Sequence, residues 1–201
     1  MPRYGMAIDL NKCVRCRTCY VVCKVMHDIP NQFEKGKRYT RFRFIEPEIG
    51  TYPNVRRHFL PVHCMQCEDP ACVAVCPAKA LTKEKNGLIA YDPKKCIGCE
   101  ACVEACPYHA RYLDEEKGVA DGCDFCADRI AVGKPPWCVE RCIGKAIVFG
   151  DLDDTGSDVS KTIRETGARP LSPEFGTRPK VFYGNMNGLS RLKGLGGLRH
   201  G

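Results

Sequence analysis

No stretch of the 201 residues is apolar for long enough to cross a bilayer, because a spanning helix needs about 20 consecutive apolar residues. The opening Met1-Pro2-Arg3-Tyr4-Gly5-Met6-Ala7-Ile8-Asp9-Leu10 lacks the sustained apolar core and small-residue cleavage site of a secretory leader. The chain is therefore expected to carry no membrane span of its own, and an exported disulfide scaffold is disfavoured. Catalytic signatures are also missing. The sequence has no nucleophile elbow and no Gly-rich phosphate loop. It contains one Trp and no recognised nucleic-acid-binding motif.

What the chain has in excess is cysteine. Its 16 cysteines fall into four groups of four with none left over. Cys13, Cys16, Cys19 and Cys23 are spaced C-x2-C-x2-C-x3-C. Cys64, Cys67, Cys72 and Cys76 read C-x2-C-x4-C-x3-C and are followed by Pro77. Cys96, Cys99, Cys102 and Cys106 return to the regular spacing, followed by Pro107. The last group, Cys123, Cys126, Cys138 and Cys142, is stretched to C-x2-C-x11-C-x3-C.

The regular spacing is that of bacterial iron–sulfur clusters, in which three thiolates two residues apart converge on one cube and the fourth ligates a neighbouring cube. Quartets should then exchange their last cysteines in pairs. Zinc sites favour two C-x2-C knuckles separated by a long spacer, which only the fourth group partly resembles. Disulfides would require strained pairings among closely spaced cysteines. Four 4Fe-4S clusters are the expected cofactors.

Charge fits that reading. A formal net charge of +7 would otherwise invite nucleic acid. Each 4Fe-4S core with four thiolates carries roughly 2−, so four of them bring the holoprotein to about −1. The basic excess compensates the clusters, and no nucleic-acid partner is expected.

Residues 80–92 read as two short strands about the Asn86-Gly87 turn. The segment 60–118 thus runs strand, cluster loop, helix, hairpin, cluster loop, helix, strand, an order similar to the two-cluster bacterial ferredoxin. The strand candidates Tyr4–Leu10 and Ala146–Gly150 flank the first and fourth quartets and can pair across this insertion. The expected fold class is α+β. Two ferredoxin-like units are expected, one (60–118) inserted in the other (1–24 plus 119–150). Residues 25–59 form an insertion with a strand in Arg41–Ile45, and residues 151–201 form an extended or disordered tail that could dock on a partner. Metal ligation should supply much of the folding free energy, leaving the apoprotein largely unfolded.

With four quartets in this order, the hairpin between the second and third, and the stretch Phe149-Gly150-Asp151-Leu152 after the fourth, the chain resembles the four-cluster electron-transfer subunits of the dimethyl sulfoxide reductase family. The resemblance covers roughly residues 3 to 186. It implies one cluster on Cys13, Cys16, Cys19 and Cys142, and a second on Cys23, Cys123, Cys126 and Cys138. It places a third on Cys64, Cys67, Cys72 and Cys106, and a fourth on Cys76, Cys96, Cys99 and Cys102. Some relatives lose one cysteine of the third quartet and carry a 3Fe-4S cluster there; this sequence keeps all four. The resemblance further implies a large molybdenum or tungsten pterin catalytic subunit near the Cys13 cluster and a quinone-reactive membrane subunit near the Cys96 cluster. The chain itself would be non-catalytic, lying in the cytoplasm or exported with a signal-bearing partner. A free-standing polyferredoxin shuttle and a structural zinc protein are the competing readings.

Near the ligands, Trp137 is read as core packing in preference to a redox role. His63 and His109 are read as hydrogen-bonding or surface residues, because cysteine already completes each ligand set. Arg15, Arg17 and Lys24 either steer an acidic partner or form a solvated face. Pro77 and Pro107 fix the chain's exit from short helices.

Overall fold

The computed structural model describes residues 1–30 and 39–189. Its largest sheet is built around β1 (Tyr4–Asp9), whose unbroken apolar run suits a strand covered on both faces. On one side β1 pairs antiparallel with β10 (Ile147–Asp151), Met6 lying opposite Phe149. This is the expected pairing of the two distant strands. On its other side β1 runs parallel to β12 (Val181–Gly184), with Met6 opposite Val181. The short β11 (Arg169–Pro170) completes the order β10-β1-β12-β11.

β12 and the helix before it correct the expectation of an extended tail. In α6 (Asp158–Thr166) the Ser157 hydroxyl accepts from the Ser160 N–H at 3.2 Å, and Gly167 ends the helix at φ 58°. The helix buries Val159 and packs on β1, β10 and β12. Cap and terminator were present in the sequence, but the polar composition of the surrounding segment masked them. The Gly-rich stretch from 190 onward lies outside the described residues.

After α1 (Thr18–Met26) come β2 (Arg43–Ile45), β3 (Glu48–Ile49) and β4 (Arg56–Arg57). β2 falls within the expected strand and pairs with β5 (Leu60–Val62), while β3 pairs with β4. The helix α2 (Ala71–Ala74) precedes the hairpin of β6 (Leu81–Lys83) and β7 (Ile89–Tyr91), whose turn holds Gly87 at φ 78°. Next come α3 (Ala101–Glu104) and a second hairpin, β8 (Arg111–Asp114) with β9 (Val119–Gly122), which delivers the chain directly to Cys123. The fourth quartet is carried by the turns around α4 (Ala127–Ala131) and α5 (Trp137–Glu140), the latter packed against α1.

Among the described residues two apolar clusters result. The larger joins Met6, Ile8, Phe42, Phe125 and Tyr183 across the sheet, the segment 39–59 and the fourth-quartet loop. The smaller gathers Leu81, Ile89 and Ala120 with Cys72 and Cys102. α2, α3 and α5 are four residues long, too short to persist in water without tertiary support.

Candidate metal centres

The four quartets share one backbone device. In the first C-x2-C of each, the residue before the second cysteine is left-handed: Arg15 (φ 61°), Gln66 (45°), Gly98 (68°) and Phe125 (59°). Three of these are not glycine, so the conformation is held against its intrinsic cost by the surrounding structure. The turn directs backbone N–H groups at sulfur: Gln66 N–H donates to Cys64 Sγ and Phe125 N–H to Cys123 Sγ, each at 3.5 Å. A second device follows the last cysteine of three quartets, where Lys79, His109 and Lys145 are left-handed. Each returns its N–H to the carbonyl of the cysteine three residues earlier. There the next N–H also reaches sulfur, Ala110 to Cys106 at 3.4 Å and Ala146 to Cys142 at 3.2 Å. The stretched fourth quartet is thus built like the regular ones.

All sixteen cysteines are free thiols. Cys13, Cys16, Cys19 and Cys142 line one cavity of about 380 Å³, walled by Ile8 and Ile147. Cys76, Cys96, Cys99 and Cys102 line another of about 340 Å³, walled by Leu81 and Tyr91. Four soft thiol donors around an apolar hollow suit an iron–sulfur cluster rather than a hard cation. Gly144 makes the first convergence possible: a Cβ there would stand 2.2 Å from the Lys12 carbonyl oxygen. The loop carrying Cys142 therefore lies directly on the loop carrying Cys13.

The remaining thiols also come together across the sequence. Cys23, Cys126 and Cys138 influence one another electrostatically, as do Cys123, Cys23 and Cys126. Cys64 and Cys67 each feel Cys72 and Cys106. Coupling also links the groups into a series: Cys138 feels Cys19, Cys123 feels Cys64, and Cys102 feels Cys72. Burial pushes the Cys19 and Cys23 thiols up to about 12, and Cys67 and Cys126 up to about 11. These groups stay protonated at neutral pH without metal, so iron must displace the protons on binding.

Several side chains near the ligands escaped sequence reading. His27 Nε2 lies 3.2 Å from Cys126 Sγ, although nothing local connects positions 99 residues apart. Buried Gln66 donates to the Cys123 carbonyl at 2.9 Å and accepts from Ile89 N–H at 2.8 Å, bridging the fourth-quartet loop to the hairpin. Arg41 forks onto Asp121 (2.9 and 3.1 Å) and reaches Asp124 at 3.1 Å.

Among the residues considered from sequence, His63 is fully buried between Phe42 and Phe125, with Nδ1 donating to the Cys64 carbonyl at 2.8 Å. Burial lowers its pKa to about 4. Trp137 is half-buried at the start of α5 beneath the Arg129 guanidinium, 3.5 Å from its ring centre, so a cation rather than an apolar core covers it. Arg17 pairs with Glu46 at 2.7 Å, and Lys24 donates to the Pro30 and Tyr39 carbonyls. The Lys24 ammonium is thus tied inward rather than turned to a partner.

Comparison with known proteins settles the class. The chain matches the model of the 4Fe-4S dicluster domain over residues 55–152. It is 38% identical over 183 residues to a tetrathionate reductase subunit of Salmonella typhimurium, covering 90% of this chain and 72% of the relative. With a sulfite dehydrogenase subunit of Allochromatium vinosum it shares 40% identity, covering 91% of this chain and 83% of that one. A thiosulfate reductase electron transfer subunit of Salmonella typhi is 42% identical over 76% of this chain and 78% of its own length. The chain belongs to the iron–sulfur electron-transfer subunits of the dimethyl sulfoxide reductase family. As such it holds 4Fe-4S clusters and transfers electrons. Among the described residues of this iron–sulfur protein no helix is long and apolar enough to cross a membrane.

Proposed function

We propose that this iron–sulfur protein is a four-site electron relay between a molybdenum or tungsten pterin catalytic subunit and a quinone-reactive membrane subunit, to which it attaches peripherally. In this reading the sites are Cys13, Cys16, Cys19 and Cys142; Cys23, Cys123, Cys126 and Cys138; Cys64, Cys67, Cys72 and Cys106; and Cys76, Cys96, Cys99 and Cys102. The second and third quartets form a ferredoxin-like unit inserted in the one formed by the first and fourth. The segment from Asp151 to Leu189 belongs to the outer unit. The clusters supply single-electron storage at each site.

The observation that carries the proposal is exposure. Of the sixteen cysteines only Cys16 and Cys99 are exposed, one in the first site of the series and one in the last. Exposed apolar side chains accompany both, Val14 and Ile143 near Cys16, Ile97 and Val75 near Cys99. Apolar contact at two ends and thiols shielded between them suit a subunit held between two partners better than a freely diffusing shuttle.

Anaerobic native purification tests this through the metals that travel with the chain. The expected result is about sixteen irons per chain, with molybdenum or tungsten in a co-purifying large subunit. An iron-loaded monomer purifying alone would overturn the relay in favour of the shuttle, and zinc without iron would overturn both.

A further inference from the structure

Arg111 opens β8 opposite Gly122 and is buried, with 8% of its surface exposed. A guanidinium is always charged, and an interior charge needs anions or acceptors around it. Among the described residues, neither Nε nor Nη1 of Arg111 has a hydrogen-bond partner, leaving three of five N–H donors unpaired. The environment has nonetheless been shaped for this side chain. A Cβ on Gly122 would come within 3.2 Å of Arg111 Cγ and 3.3 Å of its Nη1, so glycine leaves the space the guanidinium occupies. On another side its Cζ lies 5.8 Å from the centre of the Tyr91 ring, and Tyr91 lines the cavity of Cys76, Cys96, Cys99 and Cys102.

The groups acting on Arg111 are cysteines from both sites of the inserted unit, whose sulfurs become anionic on binding a cluster. Cys64, Cys72 and Cys102 hold its pKa up against the opposing effect of burial. Arg111 in turn favours the thiolates of Cys64, Cys106, Cys96 and Cys102.

We propose that Arg111 is a fixed cation set between the two cluster sites of residues 60–118, where it raises the reduction potentials of both. The inference rests on the ligand sets assigned above. Accepting an electron adds negative charge to a cluster, and a desolvated cation with unpaired donors stabilises that added charge more than the oxidised state. The cysteines facing Arg111 belong to these two sites, and the outer unit comes near it only where Gly122 leads into Cys123, so the largest effect falls on two clusters of four.

The experiment is a redox titration followed by electron paramagnetic resonance, on the full chain in its purified complex, comparing wild type with Arg111→Gln and Arg111→Lys. Arg111→Gln should retain its iron and make two clusters harder to reduce by tenfold or more in equilibrium, about 59 mV per tenfold for a one-electron couple. The other two potentials should move less. Arg111→Lys keeps the charge but loses the planar fork, so it should shift the same two clusters by less. Iron-loaded Arg111→Gln with four unchanged potentials, or with all four moved equally, would overturn the role of Arg111. If Arg111→Gln loses iron, the neutral variant Arg111→Met takes its place, and an iron-loaded Arg111→Met with four wild-type potentials overturns it. A wild-type chain without iron would instead defeat the ligand assignment.

Discussion

His27 sets its Nε2 3.2 Å from the sulfur of Cys126, reaching from the end of α1 to the start of α4. Burial, reinforced by nearby Arg41, lowers the His27 pKa. A ring carrying a proton on Nε2 can donate it to the sulfur. A donor on a ligand sulfur stabilises the more negative, reduced cluster. His27→Ala should therefore lower the potential of one cluster and leave three unchanged, as measured by a redox titration with spectroscopic detection. A variant with four wild-type potentials would show the contact to be packing alone.

Gln66 predicts a stability effect. Its amide satisfies the Cys123 carbonyl and the Ile89 N–H in the interior. Gln66→Leu keeps the bulk and strands both groups, each costing about 1–3 kcal/mol. Anaerobic chemical unfolding should show the loss, and a change within error would mean that both groups find other partners.

Arg41→Met should also destabilise, by about 1–3 kcal/mol, because it leaves the half-buried Asp121 and Asp124 carboxylates without their cation. The paired variant Arg41→Met/Asp121→Asn should recover part of that loss. A double-mutant cycle reads the coupling directly, and additive single effects would contradict it.

Gly144→Ala tests the meeting of distant loops. The added Cβ runs into the Lys12 backbone carbonyl, so the Cys142 loop must withdraw from Cys13. About four irons per chain should be lost, while the other sites keep theirs. Full iron content would show that the loops shift without parting.

Chelation of iron should unfold most of the protein, since α2, α3 and α5 each consist of one turn bearing a ligand cysteine. Circular dichroism and near-ultraviolet spectra of the apoprotein check this. A cooperative thermal transition in the metal-free chain would contradict it.

The sequence spoke clearly wherever the determinant was local. Asn86-Gly87 marked the hairpin, the apolar strands beside the first and fourth quartets marked β1 and β10, and the cysteine spacings marked the cluster loops. Reading failed where composition hid a pattern. Ser157, Asp158 and Gly167 bracket α6, yet they sit in a polar stretch that resembled a tail. Long-range partners were harder still, because His27, Gln66, Arg41 and Arg111 acquire meaning only when folding brings remote cysteines or carboxylates to them. Arginine in a basic chain looks like surface charge until its burial is seen.

The placement of β1 between β10 and β12 also governs how the molecule is made. Met6, Ala7 and Ile8 leave the ribosome long before their neighbours Phe149 and Val181 are synthesised. Through that interval this apolar strand has neither partner, a state that favours capture by a chaperone. Hairpins β6–β7 and β8–β9 need only nearby residues and can close as soon as they emerge. Maturation therefore begins in the middle of the chain and finishes at a strand made well before it.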